Sequence, residues 1–119
     1  VRFRKQDILS CVPEKACLEV IVSNPPYIGE SEKTEMEANV LDWEPHSALF
    51  VPDDDPLLFY RAIARLGVDM LVKGGSLYFE INRAYGNETM AMLQQLGYQH
   101  IVLKKDRFEN ERMIKAVKP

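Results

Sequence analysis

Asn24, Pro25, Pro26 and Tyr27 form the part of the sequence best suited to chemistry, here called the Asn-Pro-Pro-Tyr turn. The two prolines fix two φ angles and lack N–H donors, so the carbonyls of Asn24 and Pro25 are left as hydrogen-bond acceptors. Asn24 adds a side-chain oxygen, and Tyr27 adds an aromatic face on which a planar group can stack. Such a turn fits a planar amide or amino NH2 group. The alternative is a Pro-Pro turn in which Asn and Tyr have only local structural roles.

The segment before this turn is a candidate strand. Leu18–Ser23 is short and rich in β-branched apolar residues, which predicts a parallel strand buried on both faces. In open α/β sheets, ligands bind where such strands end. The position of the turn therefore favours a binding role over a purely structural one.

A predicted helix follows Asp55, which can cap it, and Pro56, which can occupy its first turn. Its apolar positions recur at helical spacing: Tyr60, Ile63, Ala64, Gly67, Met70 and Leu71. Gly74-Gly75 is expected to end it, because glycine commonly follows a helix C-terminus.

The remaining segments continue an alternation of strands and helices that is typical of an α/β sheet. Residues 77–81 read as a strand, and 87–96 as a helix closed by Gly97. The last two strands, 98–104 and 111–117, are joined by a link too short for a crossover helix, so they must pair as an antiparallel hairpin. We predict a mostly parallel, Rossmann-like sheet that ends in an antiparallel hairpin, an arrangement typical of methyltransferases that use S-adenosylmethionine.

The composition describes one small globular domain and excludes a second full one. The 119 residues include 15 Lys plus Arg against 18 Asp plus Glu, for a net charge of -3. No apolar run approaches the ~20 residues of a membrane span, and the N-terminal residues lack the apolar stretch of a secretion signal. We expect a cytoplasmic protein with reduced thiols at Cys11 and Cys17. His46 and His100 have no further ligand at metal-binding spacing, so no metal site is expected.

Four motifs follow one another along the chain. They are Ser23-Asn24-Pro25-Pro26-Tyr27-Ile28, Glu44-Pro45 with Ala48-Leu49, Gly74-Gly75 with Glu80-Ile81, and Asp106 with Asn110-Glu111-Arg112. In this order they resemble the release-factor glutamine methyltransferases, the HemK/PrmC family, from about Gln6 to the C-terminus. The tetrapeptide alone is shared with DNA adenine and ribosomal RNA guanine methyltransferases, so the later motifs carry the resemblance.

The resemblance implies an S-adenosyl-L-methionine-dependent enzyme that methylates a glutamine side-chain amide in the Gly-Gly-Gln motif of a peptide chain release factor. It implies that all four residues of the Asn-Pro-Pro-Tyr turn bind the substrate amide, with Asn24 and Pro25 in catalysis. It also implies that Asn24 borders the cofactor and that Asp7 and Ile8 lie near its adenine. Without the resemblance, Asp7 reads equally well as a solvated turn carboxylate, and Glu80 reads as an ordinary strand-end carboxylate.

The sequence also departs from the family's pattern. Asn82 and Tyr85 stand where Gly and Gln are usual, and a Gly expected after Asp106 is replaced near Phe108. A glycine-rich G-x-G loop and an acidic strand end, both upstream of Gln6 in the family, are not found. We therefore expect the C-terminal portion of a methyltransferase catalytic domain, without the cofactor loop and the N-terminal domain. Alone, we expect it to be inactive and to bind the cofactor weakly. We also expect it to self-associate through an exposed strand edge, to swap its N-terminal segment or to be only marginally folded.

The link from Tyr27 to Pro56 discriminates between substrates. It holds nine acidic residues and one lysine, a local charge of -8. Enzymes that flip a base out of nucleic acid surround it with Lys and Arg, so this link disfavours DNA and RNA and fits a neutral or basic protein loop. The alternative interpretation is a solvated acidic loop without a binding role. The other functions to be tested are methylation of DNA adenine or ribosomal RNA guanine, and a catalytically inactive fragment.

Overall fold

The computed structural model describes residues 1–26, 28–29 and 50–119. The six strands are Leu18–Ser23 (β1), Ile28–Gly29 (β2), Phe50–Val51 (β3), Leu71–Glu80 (β4), Gln99–Lys105 (β5) and Glu111–Val117 (β6). The α-helices are Leu58–Met70 (α1) and Gly86–Gln95 (α2), and a 3-10 turn at Arg83–Tyr85 precedes α2. Four strands form one sheet in the order β1-β4-β6-β5, and β2 pairs with β3 in a separate small sheet.

The larger sheet is mixed. β1 and β4 are parallel, whereas β6 is antiparallel to both β4 and β5. The predicted α/β class and the terminal hairpin are confirmed. β1, β4 and β5 run in one direction and β6 runs opposite to them, so three of the four strands share a direction, although β1 and β4 are the one parallel pair of neighbours in this sheet. β6, the second strand of the hairpin, lies between β4 and β5 and separates them. Helix α1 lies between β1 and β4 in the chain, and α2 lies between β4 and β5, as crossovers between strands of one direction require.

Helix α1 confirms four of the six predicted apolar positions as buried, but not the predicted ends, and Leu71 belongs to β4. Tyr60, Ile63, Ala64 and Gly67 are its buried residues. No side chain caps its N-terminus, because the residue at the N-cap position is Leu57. The Asp55 carboxylate is instead bound by both terminal nitrogens of Arg61, at 3.0 and 3.1 Å. Within the described residues, neither α-helix has the length and apolar character that a membrane span requires.

Gly74 and Gly75 lie inside strand β4 rather than at a helix end, so that prediction is wrong. Between the pairs Leu18↔Leu71 and Val20↔Ser76, β4 advances five residues while β1 advances two. Gly74 has a φ of 82°, which L residues rarely adopt. A Cβ on Gly75 would lie 3.0 Å from the backbone oxygen of Glu19. The glycine pair therefore makes an irregularity in β4 and a close approach to β1.

Both α-helices cover the same face of the larger sheet. The core consists of residues from α1, α2, β4, β6 and the turn after α2: Tyr60, Ile63, Ala64, Leu71, Leu77, Phe79, Ile81, Met92, Leu93, Tyr98, Ile114 and Ala116. Helix α2 lies one residue before its predicted range, and Gly97 follows it at a φ of 92°, as the sequence predicts. This one-sided cover places the ends of β1 and β4 beside α1.

Strand β1 has the predicted bounds but not the predicted burial. Its alternate residues Val20 and Val22 are 52% and 77% exposed. β1 is an edge strand of the four-stranded sheet, with β4 on its one paired side. A continuous apolar run does not report which of its faces is covered, and in the described chain one face of β1 is open.

Candidate active site

The Asn-Pro-Pro-Tyr turn begins where β1 ends. β1 stops at Ser23, and the next three residues form no regular structure. The Asn24 residue is exposed, Pro25 is buried and Pro26 is half-buried. Burial of Pro25 anchors the turn, whereas Asn24 stays accessible. Tyr27 lies outside the described residues, so its predicted stacking role remains a prediction.

An open cleft of about 710 Å3 lies beside this turn. Its lining includes Asp7 and Ile8 from the N-terminal segment together with Asn24, Pro25 and Pro26. The structure therefore brings together five of the six residues that the sequence analysis assigned to substrate and cofactor. The volume lies within the range of about 300–1,000 Å3 that is usual for small-molecule sites.

A short turn holds the N-terminal wall of the cleft. Asp7 Oδ1 accepts a hydrogen bond from the backbone N–H of Leu9 at 3.0 Å, and the Asp7 carbonyl accepts one from the Ser10 N–H at 3.2 Å. An Asp side chain that binds the backbone two residues later stabilises such a turn. The carboxylate is thereby fixed at the cleft, and the half-buried side chain of Ile8 packs against the core.

Helix α1 supplies the opposite wall through Phe59 and Ile63. Tyr60, between them in sequence, donates its hydroxyl to the carbonyl of Glu80 at 2.7 Å. Its ring meets that of Phe79 edge-on, with the centroids 4.9 Å apart. These contacts fix the first turns of α1 to the end of β4, and so fix the wall of the cleft relative to the end of the sheet.

Two short strands, one near each end of the acidic link, pair with each other. Ile28 pairs with Phe50 and Gly29 with Val51, in parallel, and Val51 is fully buried. The motif residues Glu44, Pro45, Ala48 and Leu49, like His46, fall outside the described residues. The pairing nevertheless shows that the link leaves and returns at one place, next to the Asn-Pro-Pro-Tyr turn.

The hairpin motif has a structural role that the sequence did not specify. Asp106 Oδ1 accepts hydrogen bonds from the N–H groups of Phe108 and Asn110, at 2.8 and 3.1 Å. Its Oδ2 accepts one from Arg112 at 3.4 Å, and Arg83 donates to the Asn110 side chain at 3.2 Å. Asp106 therefore organises the link between β5 and β6.

Two pKa shifts concern groups near helix α1, outside the cleft. The hydrogen bond to Asp55, with its charge, raises the pKa of Arg61. Burial raises the pKa of Tyr98 to about 12. Within the described ranges, no three His, Cys, Asp or Glu side chains are grouped to hold a metal ion. His100 is exposed.

Sequence reasoning did not assign five residues of the cleft lining to the site: Gln6, Leu9, Ser23, Phe59 and Ile63. Ile63 was predicted only as a core position of the helix. The spacing of Phe59 and Ile63, four apart on one helix face, was the available signal. This spacing indicates that the two residues line the cleft only once the position of α1 relative to β1 is known.

The chain is similar over nearly its whole length to part of several curated proteins. It is 54% identical over 117 residues to the release factor glutamine methyltransferase of Bacteroides thetaiotaomicron, covering 98% of this chain and 42% of that protein. For the protein of that name from Flavobacterium psychrophilum, the identity is 46% over 116 residues, covering 98% and 41%. The chain thus spans about two fifths of the length of these relatives. No family model matches it.

A solved structure supports the fold independently. A possible exported protein from Bordetella parapertussis superposes with a TM-score of 0.56 at 15% identity, covering 96% of this chain and 43% of that one. At this identity the likeness concerns the fold alone. The sequence relatives confirm the resemblance: over nearly its whole length, the chain is homologous to part of the release factor glutamine methyltransferases.

Proposed function

We propose that this chain is the C-terminal part of the catalytic domain of a protein-glutamine N-methyltransferase that uses S-adenosyl-L-methionine. The observation that carries the proposal is the cleft, because it unites Asp7 and Ile8 with the Asn-Pro-Pro-Tyr turn across a long stretch of sequence. The mixed sheet with its terminal hairpin is consistent with the Rossmann-like fold of S-adenosylmethionine-dependent methyltransferases. The names of the sequence relatives support the same reaction.

The cofactor part of the proposal rests on the chemistry of the N-terminal wall. When bound, S-adenosyl-L-methionine supplies an electrophilic methyl group on a sulfonium. The Asp7 carboxylate, held by the Leu9 N–H at 3.0 Å, would accept hydrogen bonds from the nucleoside, and Ile8 would offer apolar surface to the adenine. Phe59 and Ile63 across the cleft add apolar cover, as small-molecule sites require.

The substrate part of the proposal rests on Asn24 and Pro25. A glutamine amide nitrogen is a poor nucleophile, since its lone pair is delocalised into the carbonyl. If the Asn24 side-chain oxygen and the Pro25 carbonyl accept the two amide N–H bonds, they orient the nitrogen for an in-line displacement. Positioning and electrostatics then provide the acceleration without a strong base. Among the described residues, none hydrogen-bonds the Asn24 side chain, so it is available to substrate.

Pro26 and Tyr27 complete the proposed amide site. Pro26 shapes the cleft wall, and we assign Tyr27 to stacking on the flat amide. Tyr27→Phe should then keep most of the activity, whereas Tyr27→Ala should lose ~1 kcal/mol or more of substrate binding, the scale of an aromatic contact. Equal and large losses in both variants would assign the function to the hydroxyl instead.

The proposed substrate is the Gly-Gly-Gln loop of a peptide chain release factor. Its support is the names of the relatives and the acidic link, whose charge of -8 suits a neutral or basic protein loop better than a phosphate backbone. The link returns beside the Asn-Pro-Pro-Tyr turn, where it can flank the bound loop.

The test uses a chimera in which this chain replaces the matching part of the Bacteroides thetaiotaomicron enzyme, because the chain spans only 42% of the length of that enzyme. Methyl transfer from labelled S-adenosyl-L-methionine to a Gly-Gly-Gln peptide is measured. Asn24→Ala should lower the transfer rate by ~100-fold or more, as removal of one transition-state hydrogen-bonding group does. The control is Asn87→Ala, an exposed asparagine on α2, which should transfer at the parent rate.

Two results would contradict the proposal. A change of less than threefold in Asn24→Ala would exclude the proposed role of the side chain. A chimera that is folded and binds the cofactor, but methylates DNA adenine or RNA guanine and not glutamine, would exclude the substrate class. In the isolated 119-residue chain we expect weak cofactor binding at most, which isothermal titration measures.

A further inference from the structure

The carbonyl of Glu80 lies where the hydrogen-bonded ladder between β4 and β1 ends. Ile81, the next residue, donates its N–H to the Arg112 carbonyl on β6 at 2.9 Å. In a trans peptide the C=O and the N–H point in opposite directions, and β4 has β6 on one side and β1 on the other. The Glu80 carbonyl therefore points toward the side on which β1 gives way to the Asn-Pro-Pro-Tyr turn.

The prolines of that turn remove the donor that this carbonyl would otherwise meet. Ser23 pairs with Phe79 in parallel, so the same register continued by one residue sets Asn24 opposite Glu80. In a parallel ladder, a carbonyl that faces the neighbouring strand accepts from the N–H of the residue after its partner. That residue is Pro25, and proline has no N–H. The sequence of the proposed amide site therefore interrupts the hydrogen bonding between β1 and β4.

Tyr60 of helix α1 supplies a donor in place of the missing N–H. Its hydroxyl donates to the Glu80 carbonyl at 2.7 Å, and the residue is only 1% exposed. Its ring is held edge-on against Phe79, with the centroids 4.9 Å apart. A backbone carbonyl that leaves water loses free energy unless it is hydrogen-bonded. The hydroxyl thus satisfies the carbonyl at the point where the strand ladder stops.

The same turn of α1 carries one wall of the cleft. Phe59 and Ile63 line the cleft together with Pro25 and Pro26, and Tyr60 directly follows Phe59. The bond from Tyr60 to the end of β4 consequently fixes this wall relative to the row of the sheet that contains Asn24. Reacting groups misplaced by about 1 Å can cost about 100-fold in rate, so this bond is placed where it can influence catalysis.

Tyr98 makes an equivalent bond elsewhere on α1. Its hydroxyl donates to the Ala64 carbonyl at 2.7 Å, and the residue is 5% exposed. Neither Tyr98 nor Ala64 is among the described residues that line the cleft. The two tyrosines therefore separate a hydrogen bond that holds the helix in general from one that holds it at the candidate site.

We propose that Tyr60 is a positioning residue for methyl transfer. Its hydroxyl replaces the N–H that Pro25 lacks, and so holds the acceptors of Asn24 and Pro25 in place relative to β4 and α1. The inference rests on the proposed function and assigns Tyr60 no contact with substrate or cofactor.

The first experiment measures kcat and KM in the full-length chimera, with labelled S-adenosyl-L-methionine and a Gly-Gly-Gln peptide. Tyr60→Phe removes the hydroxyl and keeps the ring, so the fold should persist. We expect kcat to fall by ~10-fold or more, while the KM for the cofactor stays within twofold. The matched control Tyr98→Phe removes a bond of the same length from the same helix, and its kcat should stay within twofold of the parent value.

The second experiment tests the replacement of the proline N–H and does not depend on methyl transfer. Pro25→Ala restores an N–H at the position from which the Glu80 carbonyl would accept. Tyr60→Phe should therefore lower the Tm of the Pro25→Ala chimera by less than half as much as it lowers that of the parent chimera. Tyr98→Phe should lower both by the same amount, because independent sites are additive.

Three results would overturn the positioning role. Additive changes in Tm for Tyr60→Phe and Pro25→Ala would show that the hydroxyl does not replace the proline N–H. A kcat of Tyr60→Phe within twofold of the parent, with a large loss in Asn24→Ala, would leave the proposed function intact without this role. Equal losses of kcat in Tyr60→Phe and Tyr98→Phe would indicate general loosening of α1. A parent chimera that binds the cofactor but does not methylate glutamine would instead refute the proposed function, and the positioning role with it.

Discussion

The two faces of the four-stranded sheet are built from alternate residues of the same strands, yet they differ sharply in burial. On the face covered by α1 and α2, Phe79 and Ile114 are each 1% exposed. On the other face, Tyr78 and Met113, their neighbours in sequence, are 37% and 50% exposed. Strand alternation determines which side chains share a face, but only the packing of the helices determines which face is buried. The stability of the sheet is therefore expected to come mainly from one side.

The largest effect should come from truncating a side chain of the covered face. Phe79→Ala removes a buried ring that contacts Tyr60 edge-on, and should lower the free energy of unfolding by about 3–5 kcal/mol. Tyr78→Ala, one residue earlier on the open face, removes mainly a Lys115 contact at 5.6 Å from the ring centroid and should cost less than about 1 kcal/mol. Urea unfolding followed by circular dichroism measures both. Equal losses would contradict the one-sided core.

The next effect depends on pH and concerns the contact between α1 and the turn after α2. Tyr98 donates its hydroxyl to the carbonyl of Ala64 at 2.7 Å, and burial raises the pKa of Tyr98 to about 12. The folded state therefore holds the neutral phenol, whereas the unfolded chain ionises it near its ordinary pKa. This contribution is fully present below about pH 10 and is lost as the pH rises toward 12, by at most about 2–3 kcal/mol.

The pH prediction is tested by comparing unfolding free energies at pH 9 and pH 11.5. Tyr98→Phe should lose less stability over this range than the parent chain. The control Tyr78→Phe, a tyrosine on the open face, should show the parent's pH dependence. If Tyr98→Phe follows the parent curve, the buried phenol does not cause the alkaline loss.

Because Gly67 has no side chain, it leaves room for the contact between the Tyr98 hydroxyl and the Ala64 carbonyl. Substitution of Gly67 should lower stability by less than the alkaline pH change does. A Cβ at Gly67 would collide with the Tyr98 hydroxyl. Gly67→Ala should destabilise by about 1–2 kcal/mol, since overpacking costs about 1–3 kcal/mol and the gain in helix propensity returns up to about 1 kcal/mol. The double variant Gly67→Ala/Tyr98→Phe makes room for the methyl group and should be more stable than the sum of the single changes predicts. Strict additivity would show that the hydroxyl does not set the space.

Much of the fold could be predicted because local patterns determine it. The bounds of β1 and β6 follow from apolar runs between polar segments, and the short link 105–110 forces the hairpin. The role of Gly74 and Gly75 could not be read in this way. A glycine pair permits positive φ both after a helix and inside an irregular strand, and only the pairing with β1 distinguishes the two.

The candidate site shows the same limit. The sequence places Asn24 at a strand end, which is where sheets of this class bind ligands, and the structure confirms the strand end. Asp7 was assigned to the site only because of the family resemblance. The cleft that joins Asp7 to Asn24 is formed by tertiary packing, which the sequence does not show. Phe59 and Ile63 were missed because helical spacing shows that two side chains share a face, but not which cavity that face borders.

The smallest effect on stability is expected for a substitution on the open face of the edge strand β1. Such a substitution distinguishes folding from association, because it should alter association while leaving stability nearly unchanged. β5, at the other edge of the sheet, carries Lys104 and Lys105, whereas β1 has Glu19 as its one charged residue. Lysines on an edge strand discourage pairing with another chain. Val22 is 77% exposed, so Val22→Lys should change the free energy of unfolding by less than about 0.5 kcal/mol while reducing self-association in sedimentation. Val102→Lys on β5 is the control and should leave association unchanged. A monomeric parent chain with strongly protected amides at residues 20–22 would show that the β1 edge is covered in another way, and the predicted association would then be wrong.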